Sequence, residues 1–233
     1  MGNTGDGSGN ILGGLVDNTN KNQNEQKTIE YYNSNAEEFY ESTVTADMSV
    51  QYKLFEKYLG DGAHILDCGC GSGRDSKHFL DDGFEVTAID GSEELCKKAS
   101  ELTGLEVKHI YFQDLNFDNE FSGVWACASL LHVKRDELPD VLTKITKALR
   151  DGGVLYVSFK YGDFSGERNG RFFTDLDDES FETLIANIPE MVLKEKYIST
   201  DVRPGRENER WLNAIVTKRK ELGHKRHFII NMV

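Results

Sequence analysis

The sequence predicts an α/β fold, a doubly wound and mostly parallel sheet with helices packed on both faces. Three observations carry that prediction. From Ala63 onward, short apolar runs alternate with helical patterns, the order such a sheet requires. The first run, Ala63-His64-Ile65-Leu66, ends in Asp67 and breaks into a turn with Gly69, Gly71 and Gly73 at alternate positions. The second run, Phe84 to Ile89, ends in Asp90. Glycine tolerates positive φ and lets the backbone approach a ligand closely. A strand that breaks into such a turn and starts a helix aims backbone N–H groups above the sheet edge. An acid at the tip of the next strand suits ribose hydroxyls. The unit therefore reads as a nucleoside-binding half-sheet.

The elements follow in order. Residues 1–27 are rich in Gly, Asn and Gln and poor in apolar residues, so a disordered tail is expected. Thr28 to Tyr40 carries Ile29, Tyr32, Ala36, Phe39 and Tyr40 near helical spacing, and Asp47 to Leu59 repeats this through Met48, Tyr52 and Phe55. Strand one covers 63–67 and its helix 74–82; strand two covers 84–89 and its helix 92–102. Strands three and four fall at 106–111 and 122–127. The next helix carries Leu138, Val141, Leu142, Ile145 and Leu149 on one face, and Asp151-Gly152-Gly153 is expected to end it. Strand five is 154–160. Phe181 to Ile188 is helical and stops near Pro189. Strands at 192–199 and 211–218 pair as a hairpin and complete seven. The domain is thus expected over 28–220, with 221–233 as a C-terminal tail or terminal strand.

Composition narrows the function. A chain of 233 residues suits one domain with a full core. It has no apolar run long enough to span a membrane. It opens without a basic and apolar signal region, and Asp6 breaks the myristoylation pattern that Met-Gly begins. The four cysteines, Cys68, Cys70, Cys96 and Cys127, are scattered over loop, helix and strand, so a reduced, cytoplasmic setting is expected. Cys68-x-Cys70 is too short for the usual zinc pair and has no second pair, so no metal site is assigned. The net charge of −13 disfavours a nucleic-acid substrate, whose phosphates call for a basic stripe. Oligomeric state cannot be read.

Spacing then separates two nucleoside ligands. A dinucleotide fingerprint is G-x-G-x-x-G/A. Counted from Gly69, its sixth position is Arg74, where close helix–strand packing wants a small residue. The order here is Asp-x-Gly-x-Gly-x-Gly. An acid before the turn is a poor cradle for pyrophosphate and a good one for a ligand with an ammonium and a sulfonium. The stretch resembles the first motif of class I S-adenosylmethionine-dependent methyltransferases. The resemblance continues through Asp90-Gly91-Ser92, Gln113-Asp114-Leu115, Val124 to Ala128, and Leu149 to Gly153, within a span from Ile29 to Lys218. The phrases GCGSGRDS, WACASLLHV and SFKYG resemble small bacterial methyltransferase-domain and tellurite-resistance-like groups. The resemblance implies a Rossmann-like, seven-stranded methyltransferase fold with an antiparallel seventh strand. It also implies a helical lid over 28–60, S-adenosylmethionine as cofactor and a small-molecule methyl acceptor.

Site residues follow. Asp67 is expected to anchor the loop and the amino end of the donor's methionine, or to act as a helix cap. Gly69, Cys70, Gly71 and Gly73 form the cradle. By resemblance Arg74 lies near the donor's carboxylate; a surface arginine is the other reading. Asp90, with Gly91 and Ser92, takes the ribose. Gln113 and Asp114 stand where the family contacts adenine, with a surface turn as the alternative for Gln113. Ala128 and Ser129 are small residues that let the donor cross the sheet edge. His132 is either a general base for the acceptor or a packing residue. The acceptor side draws on Tyr32, Tyr161, Arg171, Arg203 and Arg206. The last two suit a carboxylate or phosphate unless Glu207 and Glu209 neutralise them. Two other functions compete with methyl transfer: a donor-binding sensor or partner subunit without turnover, and a nicotinamide-dependent oxidoreductase.

Overall fold

The computed structural model describes residues 16–220, with side chains from residue 23 onward. Three helices come first: α1 (Val16–Ser34), α2 (Ala36–Thr43) and α3 (Ser49–Glu56). Then follow β1 (His64–Cys68), α4 (Arg74–Asp81), β2 (Glu85–Asp90), α5 (Glu93–Thr103), β3 (Lys108–His109), β4 (Phe121–Ala126), α6 (Leu138–Ala148) and β5 (Leu149–Lys160). A small hairpin, β6 (Ser165–Arg168) and β7 (Arg171–Thr174), leads to α7 (Asp178–Ala186), β8 (Met191–Thr200) and β9 (Arg210–Lys218).

The main sheet has seven strands in the order β3-β2-β1-β4-β5-β9-β8. β1 pairs in parallel with β2 and β4, while β9 runs antiparallel between β5 and β8. The strand order reverses at β1, and the glycine loop leaves the sheet there, at the position where such sheets bind ligands. Central strands covered on both faces must be apolar throughout. Ile65, Leu66, Val124, Trp125, Leu155 and Tyr156 are accordingly buried. One core lies under α6 and α7, built around Phe121, Leu142, Ile145, Phe159 and Phe181. The other is aromatic. Trp125 stacks on Tyr156 at 4.0 Å, with Phe55 of α3 and Phe79 of α4 against it.

The structure departs from the sequence reading at five places. Helix α1 already includes residues 16–27, which composition had assigned to a tail; residues 1–15 and 221–233 lie outside the described residues. The first amphipathic stretch is two helices, because Asn35 leaves helical geometry (φ −120°, ψ 24°) and its side chain donates to the Tyr31 carbonyl at 2.7 Å. β3 spans only two residues. Gly152 and Gly153 do not cap α6, which ends at Ala148. They sit inside β5 where the register slips between Phe121↔Leu149 and Gly123↔Val154, with Gly152 at φ +76°. The fifth difference is the β6–β7 hairpin, turned by Asn169 (φ 52°) and Gly170 (φ 77°). Asn-Gly is the preferred two-residue hairpin turn, so the signal stood in the sequence. All four cysteines are free, and no described helix is long and apolar enough to cross a membrane.

Candidate functional site

Above the glycine loop lies a cavity of about 430 Å³. Its floor is the C-terminal edge of β1, β2, β4 and β5. Its roof comes from α1, α2 and the β6–β7 hairpin, through Thr28, Ile29, Tyr32, Phe39, Thr43, Arg168 and Arg171.

The glycine loop is shaped by three different constraints. Gly69 has φ +86°, and a Cβ there would stand 2.5 Å from Ser129 Cβ. Gly71 has φ +55°, and its missing side chain admits the Phe39 ring of the roof. Gly73 (φ +79°) does not line the cavity. It lets α4 start against α5, where a Cβ would meet Ala99 Cα at 2.9 Å. Asp90 holds the loop: its Oδ2 accepts from Gly71 N at 2.9 Å and its Oδ1 from Ser92 N at 2.8 Å. Burial pushes the Asp90 carboxyl upward, against these bonds.

Of the expected donor residues, Gly69, Cys70, Gly71, Arg74, Asp90, Gly91, Gln113, Ala128 and Ser129 line the cavity. Four others do not. Asp67 is buried below the loop, where its Oδ2 accepts from Ser76 Oγ at 2.6 Å. Gly73 serves helix packing. Ser92 caps α5 by accepting from Leu95 N and donates to Asn33 Oδ1 at 2.7 Å. Asp114 is exposed. Gln113 reaches the cavity with its Oε1 buried and without a hydrogen-bond partner among the described residues. Ala128 adopts φ +51°, an unusual conformation for a residue with a Cβ, and its N–H donates to Ser158 Oγ at 2.8 Å.

Arg74 does not present a free fork. Its Nε and Nη2 donate to Asp75 at 2.6 and 2.9 Å. Asp75 was not foreseen. It is buried, and it also accepts from Tyr52 Oη at 2.5 Å and Trp125 Nε1 at 2.8 Å. The guanidinium and these bonds hold the Asp75 carboxyl below the usual range despite burial. No spacing marks this network, because its members come from α3, α4 and β4.

Asp67 shows the opposite behaviour. Burial, and then the adjacent Asp75 carboxylate, push it up to about 8. Above the ordinary carboxylate range and below that value, the folded chain binds more protons here than the unfolded chain, so this position costs stability as pH rises through that window. Denaturant titrations at about pH 5 and about pH 9 should show wild type losing stability, while Asp67→Asn loses less. An identical loss in both proteins would refute the assignment.

On the acceptor side, Tyr32, His132, Arg171, Arg203 and Arg206 line the cavity and Tyr161 does not. Tyr161 Oη donates instead to Asp178 Oδ2 at 2.9 Å, with Arg210 over its ring. Arg203 is spent on Asp201, at 2.9 Å from Nε and 2.6 Å from Nη2. Arg206 pairs with Glu209 at 3.4 Å. His132 joins roof and floor. Its Nδ1 donates to the Phe172 carbonyl at 2.7 Å, which leaves Nε2 to accept from Tyr32 Oη at 2.8 Å. Burial pushes the imidazole down to about 4, so it is neutral near pH 7. Arg171 Nη1 donates to the same Tyr32 oxygen at 3.3 Å.

Known proteins resemble this chain in sequence and fold. The family described as Methyltransferase domain matches residues 65–153, the stretch from β1 into β5. An uncharacterized methyltransferase of Staphylococcus carnosus is 28% identical over 158 residues, covering 63% of this chain and 76% of that protein. A malonyl-[acyl-carrier protein] O-methyltransferase of Enterobacter lignolyticus is 32% identical over 97 residues, covering 40% of this chain and only 37% of that enzyme. Among solved structures, the Burkholderia thailandensis 1,6-didemethyltoxoflavin-N1-methyltransferase, with S-adenosylhomocysteine and its acceptor bound, superposes with a TM-score of 0.69. It is 20% identical and covers 86% of this chain and 91% of that one, which establishes a shared fold. Fold, glycine loop and matched domain agree: residues 65–153 match a methyltransferase domain, and the chain has the fold of S-adenosylmethionine-dependent methyltransferases.

Proposed function

We propose that the protein transfers a methyl group from S-adenosylmethionine to a small-molecule acceptor held in the same cavity. The observation that carries this reading is continuity. The glycine loop and Asp90 on the floor, Tyr32 and Arg171 in the roof, and His132 joining the two line one cavity of about 430 Å³. That size suits small ligands rather than a macromolecular surface.

The donor fits the residues present. Asp90 offers carboxylate lone pairs for ribose hydroxyls, and Gln113 Oε1 is a buried acceptor in need of a donor. When bound, the sulfonium supplies an activated methyl group. The protein's part is then to hold the reactants in line and exclude water. His132 serves this by position. Its protonated nitrogen is committed to a carbonyl, its free nitrogen to Tyr32, and burial makes it a weak base. It ties the roof to the floor and orients the tyrosine hydroxyl.

The named relatives and the solved neighbour support the reaction class. They do not supply the acceptor, since one methylates oxygen and another nitrogen. The test is calorimetry with S-adenosylmethionine, followed by a turnover screen of small metabolites with mass detection. Asp90→Ala should weaken donor binding by about 1.5–3 kcal/mol, the usual worth of a hydrogen bond to a charged group. Wild-type binding of NADH in place of the methyl donor would overturn the reading; so would an Asp90→Ala protein with unchanged donor affinity.

A further inference from the structure

Six cationic side chains line the cavity: Arg74, Lys160, Arg168, Arg171, Arg203 and Arg206. Five already hold a carboxylate. Arg74 pairs with Asp75 at 2.6 Å, Arg168 with Asp175 at 2.7 Å and Arg203 with Asp201 at 2.6 Å. Arg206 and Lys160 share Glu209. Arg171 is the exception: among the described residues no carboxylate lies within ion-pair distance of it.

Its guanidinium is nonetheless fixed. It lies 4.4 Å from the centroid of the Tyr31 ring, 5.2 Å from Phe173 and 5.6 Å from Tyr32. Aromatic faces attract a cation but leave its in-plane N–H bonds unused. Nη1 has one partner, Tyr32 Oη at 3.3 Å. Nε is buried and, among the described residues, has no hydrogen-bond partner. A buried donor on a charged group is costly to leave unmade, so such an atom calls for an acceptor. The side of a guanidinium that carries Nε matches a planar, two-oxygen anion. Position agrees with chemistry. Tyr32 packs edge-on against Phe39 at 5.1 Å, and the Phe39 ring lies against Gly71. Arg171 therefore stands in the same cavity as the glycine loop, two aromatic rings away from it.

We infer that the methyl acceptor is a small molecule bearing a carboxylate, and that Arg171 is the residue that receives it. The inference rests on the methyl-transfer reading and adds the class of acceptor to it. It also changes the sequence-based expectation, in which Arg203 and Arg206 offered the anion site; those two are matched from within the chain.

The test compares two probes of one shape and different charge, benzoate and benzamide, on the full chain saturated with S-adenosylhomocysteine. Calorimetry should show benzoate binding at least about tenfold more tightly than benzamide to wild type. Arg171→Gln should abolish that preference while affinity for S-adenosylhomocysteine stays within about twofold. Arg171→Lys should keep part of the preference, because it restores the charge without the fork. Equal binding of the two probes to wild type, detectable binding of neither, or a preference that survives Arg171→Gln would each overturn the inference. Should Arg171→Gln fail to fold by circular dichroism, the wild-type ratio and Arg171→Lys decide. Failure of S-adenosylhomocysteine to bind wild type strikes the methyl-donor reading instead, and the benzoate preference is then measured on the protein alone.

Discussion

Gly69→Val should abolish donor binding, a loss of at least about a hundredfold in affinity, because two penalties fall on the same atom. The backbone at position 69 sits at φ +86°, which a β-branched residue resists. A Cβ would also stand 2.5 Å from Ser129 Cβ. Ser129 cannot retreat easily: it is buried, and its Oγ donates to the Cys68 carbonyl at 2.7 Å. The loop must therefore move, and backbone strain of this kind costs on the order of 1–3 kcal/mol before any contact to the donor is lost. Calorimetric titration with S-adenosylmethionine measures the effect, with circular dichroism to confirm folding. A folded variant that binds the donor normally would show that this loop is not the cradle.

Asp75→Ala should produce the largest loss of stability of any single change near the site, about 3–5 kcal/mol. The carboxylate takes four donors, two from Arg74 and one each from Tyr52 and Trp125. Removing it strands a guanidinium whose side chain is only 18% exposed, with a buried indole N–H and a buried hydroxyl beside it. Asp75→Asn should cost less, since the amide oxygen still accepts. Urea unfolding at neutral pH compares the three proteins. A loss below about 1 kcal/mol for Asp75→Ala would mean that water replaces the carboxylate and the network is not a structural keystone.

Much of this was legible before any coordinates. The glycine loop was readable because its chemistry is local: strand, acid and alternating glycines lie within a dozen positions, from Ala63 to Arg74. Asp90 was readable for the same reason, as the last residue of an apolar run. The succession of seven strands along the chain followed from alternation of period and from short connections. What stayed hidden was long-range. Asp67 and Asp75 are both acids beside the loop, yet β1 buries one against Ser76 and α4 turns the other toward the cavity. Nothing in local spacing says which. The cations show the same limit. Arg171, Arg203 and Arg206 look alike in sequence, and only pairing with Asp201 and Glu209 separates them. The hairpin that carries Arg171 could have been read from Asn169-Gly170, the preferred two-residue turn. The split between α1 and α2 depends on one side-chain bond of Asn35, below the resolution of periodicity.

The roof has a kinetic meaning beyond its shape. It is fastened from both ends of the domain: Phe172 N donates to Thr28 Oγ1 at 3.0 Å, Tyr32 to His132, Arg171 to Tyr32, and Lys27 to Glu167. Residues 27–32 of α1 and the β6–β7 hairpin thus form a clasp over a chamber whose floor is the sheet. Each bond is worth about 1 kcal/mol, so unfastening them together is a rare excursion, while unfastening any one is not. A ligand that enters through the roof must wait for that excursion. The clasp stops at Asn35, where the backbone already leaves helical geometry between α1 and α2.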